Sequence, residues 1–195
     1  MAFNALIFDL DGTLADTMPA HYVAWRATME KYGISFDEDR FYSLGGRPSE
    51  RIVELLAEEQ GIELDAHAVA IEKEEAFLLE MREVAPIEPV VEVVREYHGK
   101  IPMAVATGAM RYVAKLILSH IGLTEHFDAC VTSEDTARHK PHPDVFLEAA
   151  RQLNVEPEKC RVYEDADLGV EAGRRAGMEV VDVRNFFTPR RITVS

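Results

Sequence analysis

The sequence predicts an α/β fold, a doubly wound parallel sheet with an inserted α-helical cap domain. Three observations predict it. The run Ala5-Leu6-Ile7-Phe8 is continuously apolar, as a strand buried on both faces must be. From Pro86 onward, short apolar runs alternate with helical patterns, the signature of strand–helix–strand units. Between these two regions lies a charged stretch with helical spacing and no convincing strand. The expected division is therefore a core of residues 1–16 and 86–195 and a cap of residues 17–85.

Each element follows in order. The first strand ends where Asp9-Leu10-Asp11-Gly12-Thr13 replaces the apolar run with acids and a glycine. Cap helices are expected over 21–29, 49–59 and 66–82, punctuated by Gly33, Gly45-Gly46 and Gly61. Pro48 stands where a helix can begin. Pro86 and Pro89 mark the joint back to the core. Helix 90–98, strand 102–106, helix 112–121, strand 129–132, helix 144–153, strand 161–163, helix 168–176 and strand 179–183 complete the alternation. The segment from Asn185 onward carries no pattern.

Composition narrows the function classes. The 195 residues are 47% hydrophobic and 29% charged, ordinary for a soluble globular protein. No apolar run approaches the roughly 20 residues a membrane helix needs. Asp9 interrupts the first apolar run, so no secretory signal is expected. A net charge of −14 argues against a nucleic-acid partner. Cys130 and Cys160 lie far apart without metal-type spacing. They read as free thiols of a cytoplasmic protein. The seven histidines show no zinc-ligand spacing.

In open parallel sheets, ligands bind beyond the carboxyl ends of the strands. There the sequence places Asp9, Asp11, Gly12 and Thr13 after the first strand and Thr107-Gly108 after the second. His139-Lys140-Pro141 follows the third, and Glu164-Asp165-Ala166-Asp167 the fourth. Acids, a hydroxyl, a lysine and flexible backbone thus gather at one edge, a set suited to phosphoryl transfer. Asp9 can attack phosphorus to form a covalent acyl phosphate. Asp11 can protonate the leaving alcohol and then activate water. Clustered carboxylates repel one another unless a cation sits among them, and oxygen-only ligands suit Mg²⁺. Asp9, Asp11, Glu164 and Asp165 are the candidate ligands, with Asp165 favoured for direct contact over Glu164. Thr107, the Gly108 amide and Lys140 can hold the phosphate oxygens. Each has a plainer reading: Asp9 and Asp11 as turn formers, Thr107 as a helix cap, Lys140 as a surface lysine, Glu164-Asp165 as an exposed acidic turn.

These residues carry a resemblance. Asp9-Leu10-Asp11-Gly12-Thr13-Leu14, Thr107, Lys140-Pro141 and Glu164-Asp165 resemble, in order, the four motifs of the haloacid dehalogenase superfamily. The resemblance spans essentially the whole chain. It implies a nucleophile at Asp9, a general acid/base at Asp11, phosphoryl contacts from Thr107 and Lys140, and an Mg²⁺ site completed by the last acids. The superfamily's dehalogenases and phosphonatases lack an aspartate at the Asp11 position, so its presence implies a phosphatase or phosphomutase. A cap between the first two motifs is similar to the β-phosphoglucomutase-like subfamily. The blocks Tyr97–Val105 and Tyr163–Val170 resemble the bacterial fructose-1-phosphate and 6-phosphogluconate phosphatases.

The resemblance thus implies a phosphoric monoester hydrolase acting on a small phosphorylated metabolite, without nucleic acid or membrane, as a monomer or weak oligomer. A phosphomutase is the alternative enzyme, and a non-catalytic binding protein the alternative class. Thr13, where the mutase usually has Val, argues against the former. So do Met110 and Arg111, where it has Lys and Asn. In the cap, His21, Arg47 and Lys73 are candidate substrate contacts. Each can equally be a packing or solvated side chain. Trp25 reads as cap core.

Overall fold

The computed structural model describes residues 3–192. Strand β1 (Ala5–Phe8) leads through a turn to a two-residue strand, β2 (Ala15–Asp16), and then to helices α1 (Met18–Lys31), α2 (Glu38–Ser43), α3 (Ser49–Gln60) and α4 (Ala66–Leu79). Strand β3 (Ala85–Pro86) returns the chain to α5 (Glu88–Tyr97), β4 (Met103–Ala106), α6 (Arg111–His120), β5 (Ala129–Val131), α7 (Asp144–Leu153), β6 (Cys160–Glu164), α8 (Asp167–Arg175) and β7 (Glu179–Asp182). Five strands form one sheet in the order β5-β4-β1-β6-β7, every pairing parallel. The doubly wound α/β expectation holds.

The apolar first strand is central because both its faces are buried. Leu6 and Phe8 point into a core completed by Val90, Val91 and Val94 of α5 and Val113, Ala114 and Ile117 of α6. Ala5 and Ile7 point the other way, against Phe146 and Ala149 of α7 and Ala172 of α8. This alternation is the period of a strand, and two helix layers bury what the pleat presents. Phe8 stacks on Tyr163 at 4.9 Å between ring centroids and meets Phe127 edge-on at 5.9 Å.

Helices α1–α4 have their own core of Trp25, Met29, Phe36, Phe41, Val53, Leu56 and Val69. They join the sheet domain through an antiparallel ribbon in which Ala15 pairs with Pro86 and Asp16 with Ala85. The sequence pattern does not reveal β2 or β3, because two residues cannot display a period. Helix α2 was also not expected. It is six residues long and is held by Asp37 Oδ1, which accepts from the Arg40 amide at 2.7 Å. The expected helix 66–82 stops at Leu79, and Met81–Glu83 form a separate turn of tighter helix.

The patternless tail also has a place. Arg191 Nη1 bonds Asp39 Oδ1 at 2.7 Å, its guanidinium lies 4.1 Å from the centre of the Tyr42 ring, and the Ile192 amide donates to Glu38 Oε1 at 2.7 Å. The tail therefore runs from the sheet domain onto α2. Among the described residues no helix is long and apolar enough to cross a membrane.

Phe8 is fully buried at the meeting of β1, β6 and the α5–α6 layer. Phe8→Ala is expected to lower unfolding free energy by about 3–5 kcal/mol, read from the midpoint of a urea titration.

Candidate active site

The site lies beyond the carboxyl edge of the sheet, under the cap. Asp9 immediately follows β1, its amide donating to the Tyr163 carbonyl of β6 at 3.0 Å. That bond extends the ladder by one residue and fixes where the carboxylate leaves the sheet. Lys140 arrives from the loop after β5 and is 4% exposed. Its Nζ donates to Asp9 Oδ1 at 2.5 Å and to Glu164 Oε2 at 2.7 Å. The ammonium also sits 5.0 Å from the centre of the Phe146 ring.

Glu164 is fully buried and uses both oxygens. Oε2 accepts from Lys140, and Oε1 accepts from the amides of Asp165 and Ala166 at 3.0 and 2.9 Å. Asp165 Oδ1 accepts from Thr13 Oγ1 at 3.0 Å. Gly12, at φ +81°, lies against this carboxylate, and a Cβ there would collide with it.

Three carboxylates with one ammonium leave an excess of negative charge. Burial and the Glu164 charge push the Asp9 carboxyl well above its ordinary value, although Lys140 pulls the other way. Burial and Glu164 push Asp165 up to about 8. Burial works against the charge of Lys140, yet the Asp9 and Glu164 carboxylates hold its pKa above the ordinary value. The opposite signs have one explanation: Lys140 is stabilised as a cation, and one cation cannot satisfy three acids. Ligand oxygens of Asp9, Glu164 and Asp165 lie within 4.8 Å of one another. This buried, oxygen-only, net-anionic group fits a hard divalent cation such as Mg²⁺. The Asp11 side chain stands outside it.

Asp11 turns toward the cap. Its Oδ1 accepts from Thr17 Oγ1 at 2.7 Å and lies 3.0 Å from His21 Nε2. Burial opposes its charge, but His21 and Thr17 hold its carboxyl below the ordinary value. Thr17 and His21 are four residues apart at the start of α1 and so share a face. The far nitrogen of His21, Nδ1, lies 2.8 Å from Lys73 Nζ. An ammonium only donates, so Nδ1 accepts and Nε2 carries the proton given to Asp11. The imidazole stacks on Phe77, centroids 3.8 Å apart. Lys73 is 2% exposed and also bonds Glu74 Oε1 at 3.1 Å. The solvated-face reading of Lys73 is wrong, because α4 turns this residue inward beside Trp25.

Thr107 follows β4, and its Oγ1 accepts from the Ala109 amide at 3.0 Å, which leaves its proton to give. Gly108 meets the glycine loop of the cap, and a Cβ there would stand 3.2 Å from the Gly46 carbonyl. Arg47 is exposed at the cleft. Asp9, Asp11, His21, Arg47, Lys73, Thr107, Gly108, Glu164 and Asp165 all line this one cleft, with Lys140 buried behind it. The space in the cleft that can hold water is about 80 Å³.

Sequence reasoning named Thr13 without its bond to Asp165 and missed Thr17, Ser49 and Glu74. Thr17 had a signal in its four-residue spacing to His21. Glu74 had one too: Val69, Ala70, Lys73, Glu74 and Phe77 recur as one buried face of α4.

Two outcomes follow from this charge balance. Between about pH 4 and pH 8 the folded chain retains a proton at Asp165 that the unfolded chain, at the ordinary 3.8, has released. Its stability in chelator is therefore expected to fall as pH rises through that window. Added Mg²⁺ should raise Tm more at pH 8 than at pH 6, as a thermal-unfolding series would show. Lys140→Met leaves Asp9 and Glu164 without their buried cation. A loss of about 3–5 kcal/mol is expected in chelator, partly restored by Mg²⁺ in a denaturant titration.

Comparison with known proteins accords with this geometry. Residues 6–183 match the haloacid dehalogenase-like hydrolase family. The fructose-1-phosphate phosphatase YqaB of Escherichia coli is 43% identical over 182 residues, 93% of this chain and 97% of that one. A phosphorylated carbohydrates phosphatase of Thermotoga maritima is 33% identical over 180 residues, 90% of this chain and 82% of that one. Among solved structures, β-phosphoglucomutase from Clostridium difficile superposes with a TM-score of 0.81 at 30% identity, covering 92% of this chain and 84% of that one. The chain belongs to the haloacid dehalogenase-like hydrolase family.

Proposed function

We propose that this chain is a Mg²⁺-dependent sugar-phosphate phosphatase, of the fructose-1-phosphate or 6-phosphogluconate type, acting through an aspartyl-phosphate at Asp9. The observation that carries the reading is Asp9 itself. It sits at the carboxyl end of the central strand, bonded to Lys140 and beside Glu164 and Asp165, under a cap that closes over it. The similarity to a fructose-1-phosphate phosphatase over nearly the whole of both chains supports the substrate class.

Asp9, Glu164 and Asp165 would hold Mg²⁺, which would neutralise phosphate charge. Thr107, the Gly108 amide and Lys140 hold the phosphoryl oxygens. An Asp9 oxygen attacks phosphorus, and the bond from phosphorus to the sugar oxygen breaks. Asp11 gives its proton to that oxygen. Asp11 starts as a carboxylate held by His21 and Thr17; an arriving phosphate dianion raises its proton affinity, and it takes up one proton from solvent before the transfer. Once the sugar leaves, Asp11 takes a proton from water, which attacks the acyl phosphate and frees Asp9. Loop 45–47 against Gly108 excludes bulk water during the transfer. The substrate is a small phosphorylated metabolite, met in the cytoplasm by a monomer or weak oligomer. Two free thiols, Cys130 and Cys160, support that compartment.

A phosphomutase is the second reading, favoured by the likeness to β-phosphoglucomutase. Two observations count against it. Thr13 donates to Asp165, a bond Val could not make. Arg111, where the mutase has Asn, is bonded to Asp135 and the Cys130 carbonyl. A non-catalytic binding role is disfavoured, since Asp9, Asp11, Thr107, Lys140 and Asp165 are all present.

Asp9→Asn is expected to cut phosphate release by at least about a thousandfold while preserving the circular-dichroism melt. Full turnover by this variant would end the proposed mechanism. A screen of Mg²⁺-dependent phosphate release should find fructose 1-phosphate or 6-phosphogluconate among the best substrates. Conversion of β-glucose 1-phosphate to glucose 6-phosphate without phosphate release would favour the mutase.

A further inference from the structure

The floor of the cleft has an assigned task for each charged group, but the cap wall does not. Glu74 is 4% exposed and lines the cleft beside Lys73, Ser49 and Arg47. Its Oε1 accepts from Lys73 Nζ at 3.1 Å and from Ser49 Oγ at 2.5 Å. Its Oε2 is buried with no hydrogen-bond partner among the described residues. Burying a carboxylate oxygen without a donor is costly, and such an orphan calls for a partner that arrives from outside. Burial opposes the charge of Glu74, yet Lys73, His21 and Ser49 keep its carboxyl below the ordinary value. The free oxygen is therefore an acceptor and cannot donate.

The neighbouring cation is already committed. Lys73 Nζ serves Glu74 Oε1 and His21 Nδ1 and lies 5.0 Å from the centre of the Trp25 ring. Lys73 and Glu74 are thus a neutral ion pair with one spare acceptor. Such a surface binds a hydroxyl. At Oε2 itself a carboxylate or a second phosphate could only bring two acceptors together. Arg47, exposed at the mouth, lies outside this pair.

We propose that Glu74 is a specificity-determining residue: its Oε2 accepts a hydrogen bond from a hydroxyl on the non-reacting part of the substrate. At this position the cap thereby selects a hydroxyl of the sugar over a second phosphate or a carboxylate. This rests on the phosphatase reading and narrows it, from two candidate substrates to fructose 1-phosphate over 6-phosphogluconate.

The test compares kcat/KM for wild type and Glu74→Gln on fructose 1-phosphate, 6-phosphogluconate, fructose 1,6-bisphosphate and 4-nitrophenyl phosphate. The last has no hydroxyl on its organic group and reports the floor of the site. Wild type should prefer fructose 1-phosphate to both more highly charged sugars. Glu74→Gln places a donor where an acceptor stood. It should lose about ten- to a hundredfold on fructose 1-phosphate relative to 4-nitrophenyl phosphate, and the preference over 6-phosphogluconate should shrink. If the variant does not fold, Glu74→Asp, which keeps the charge beside Lys73 but withdraws the oxygen from the cleft, should show the same shift in the ratios. An unchanged ratio, or wild-type preference for the bisphosphate or 6-phosphogluconate, overturns the inference while leaving the phosphatase reading intact. Hydrolysis of none of the four by wild type overturns both.

Discussion

The ion pair of Lys140 with Asp9 and Glu164 is the contact on which the rest of the site depends. Without it three acids would crowd the end of the central strands with nothing to offset their repulsion. The lysine lies 131 residues from Asp9 along the chain, and only the closed sheet brings it there. Helix α7 contacts β4, β5 and β1, and its Phe146 ring lies under the ammonium. The layer that buries one face of the sheet therefore also brings in the charge that makes the buried Asp9 carboxyl tolerable. That compensation is incomplete, and the remainder is a charge excess of the kind that suits a divalent cation.

The cleft has two electrostatic halves. Its floor is anionic and short of one or two positive charges. Its roof is balanced, with Lys73 and Glu74 paired within one helix turn. His21 connects them, one ring nitrogen on Asp11 and the other on Lys73. The cap is therefore a hydrogen-bonded partner of Asp11 as well as a cover. The β2–β3 ribbon, the tail contacts on α2 and the approach of Gly108 to the 45–47 loop are further links between the halves.

Much of this was legible in the sequence because the chemistry is local to strand ends. Asp9, Thr107 and Glu164 each sit within one residue of the end of a strand whose apolar run announces it. A parallel sheet points all those ends the same way. Less legible were features shorter than any period. Strands of two residues and the six-residue α2 leave no pattern to detect. The tail is ordered by Arg191 and Ile192 meeting acids of α2, which lies about 150 residues earlier in sequence. Asp11 stands two residues from Asp9 and on a strand would share its face, but β1 ends at Phe8 and the chain turns over residues 10–14. Its carboxylate bonds Thr17 and His21 instead.

By itself, the sequence determined the sheet, the order of its strands along the chain, the position of the helical insert and the identity of the acids at the strand ends. These depend on hydrophobic period and on residues no more than a few positions apart. Only the tertiary structure decided which charges meet. Lys140 against Asp9, Thr13 against Asp165, and Asp11 through His21 to Lys73 are pairings across 52 to 152 residues. Lys73 and Glu74 look like a solvated helix face in a charged run, and packing against α1 and α3 turns them inward. Charge type is written in the residue, but whether that charge is buried, paired or left with an oxygen to spare depends on what the fold places beside it.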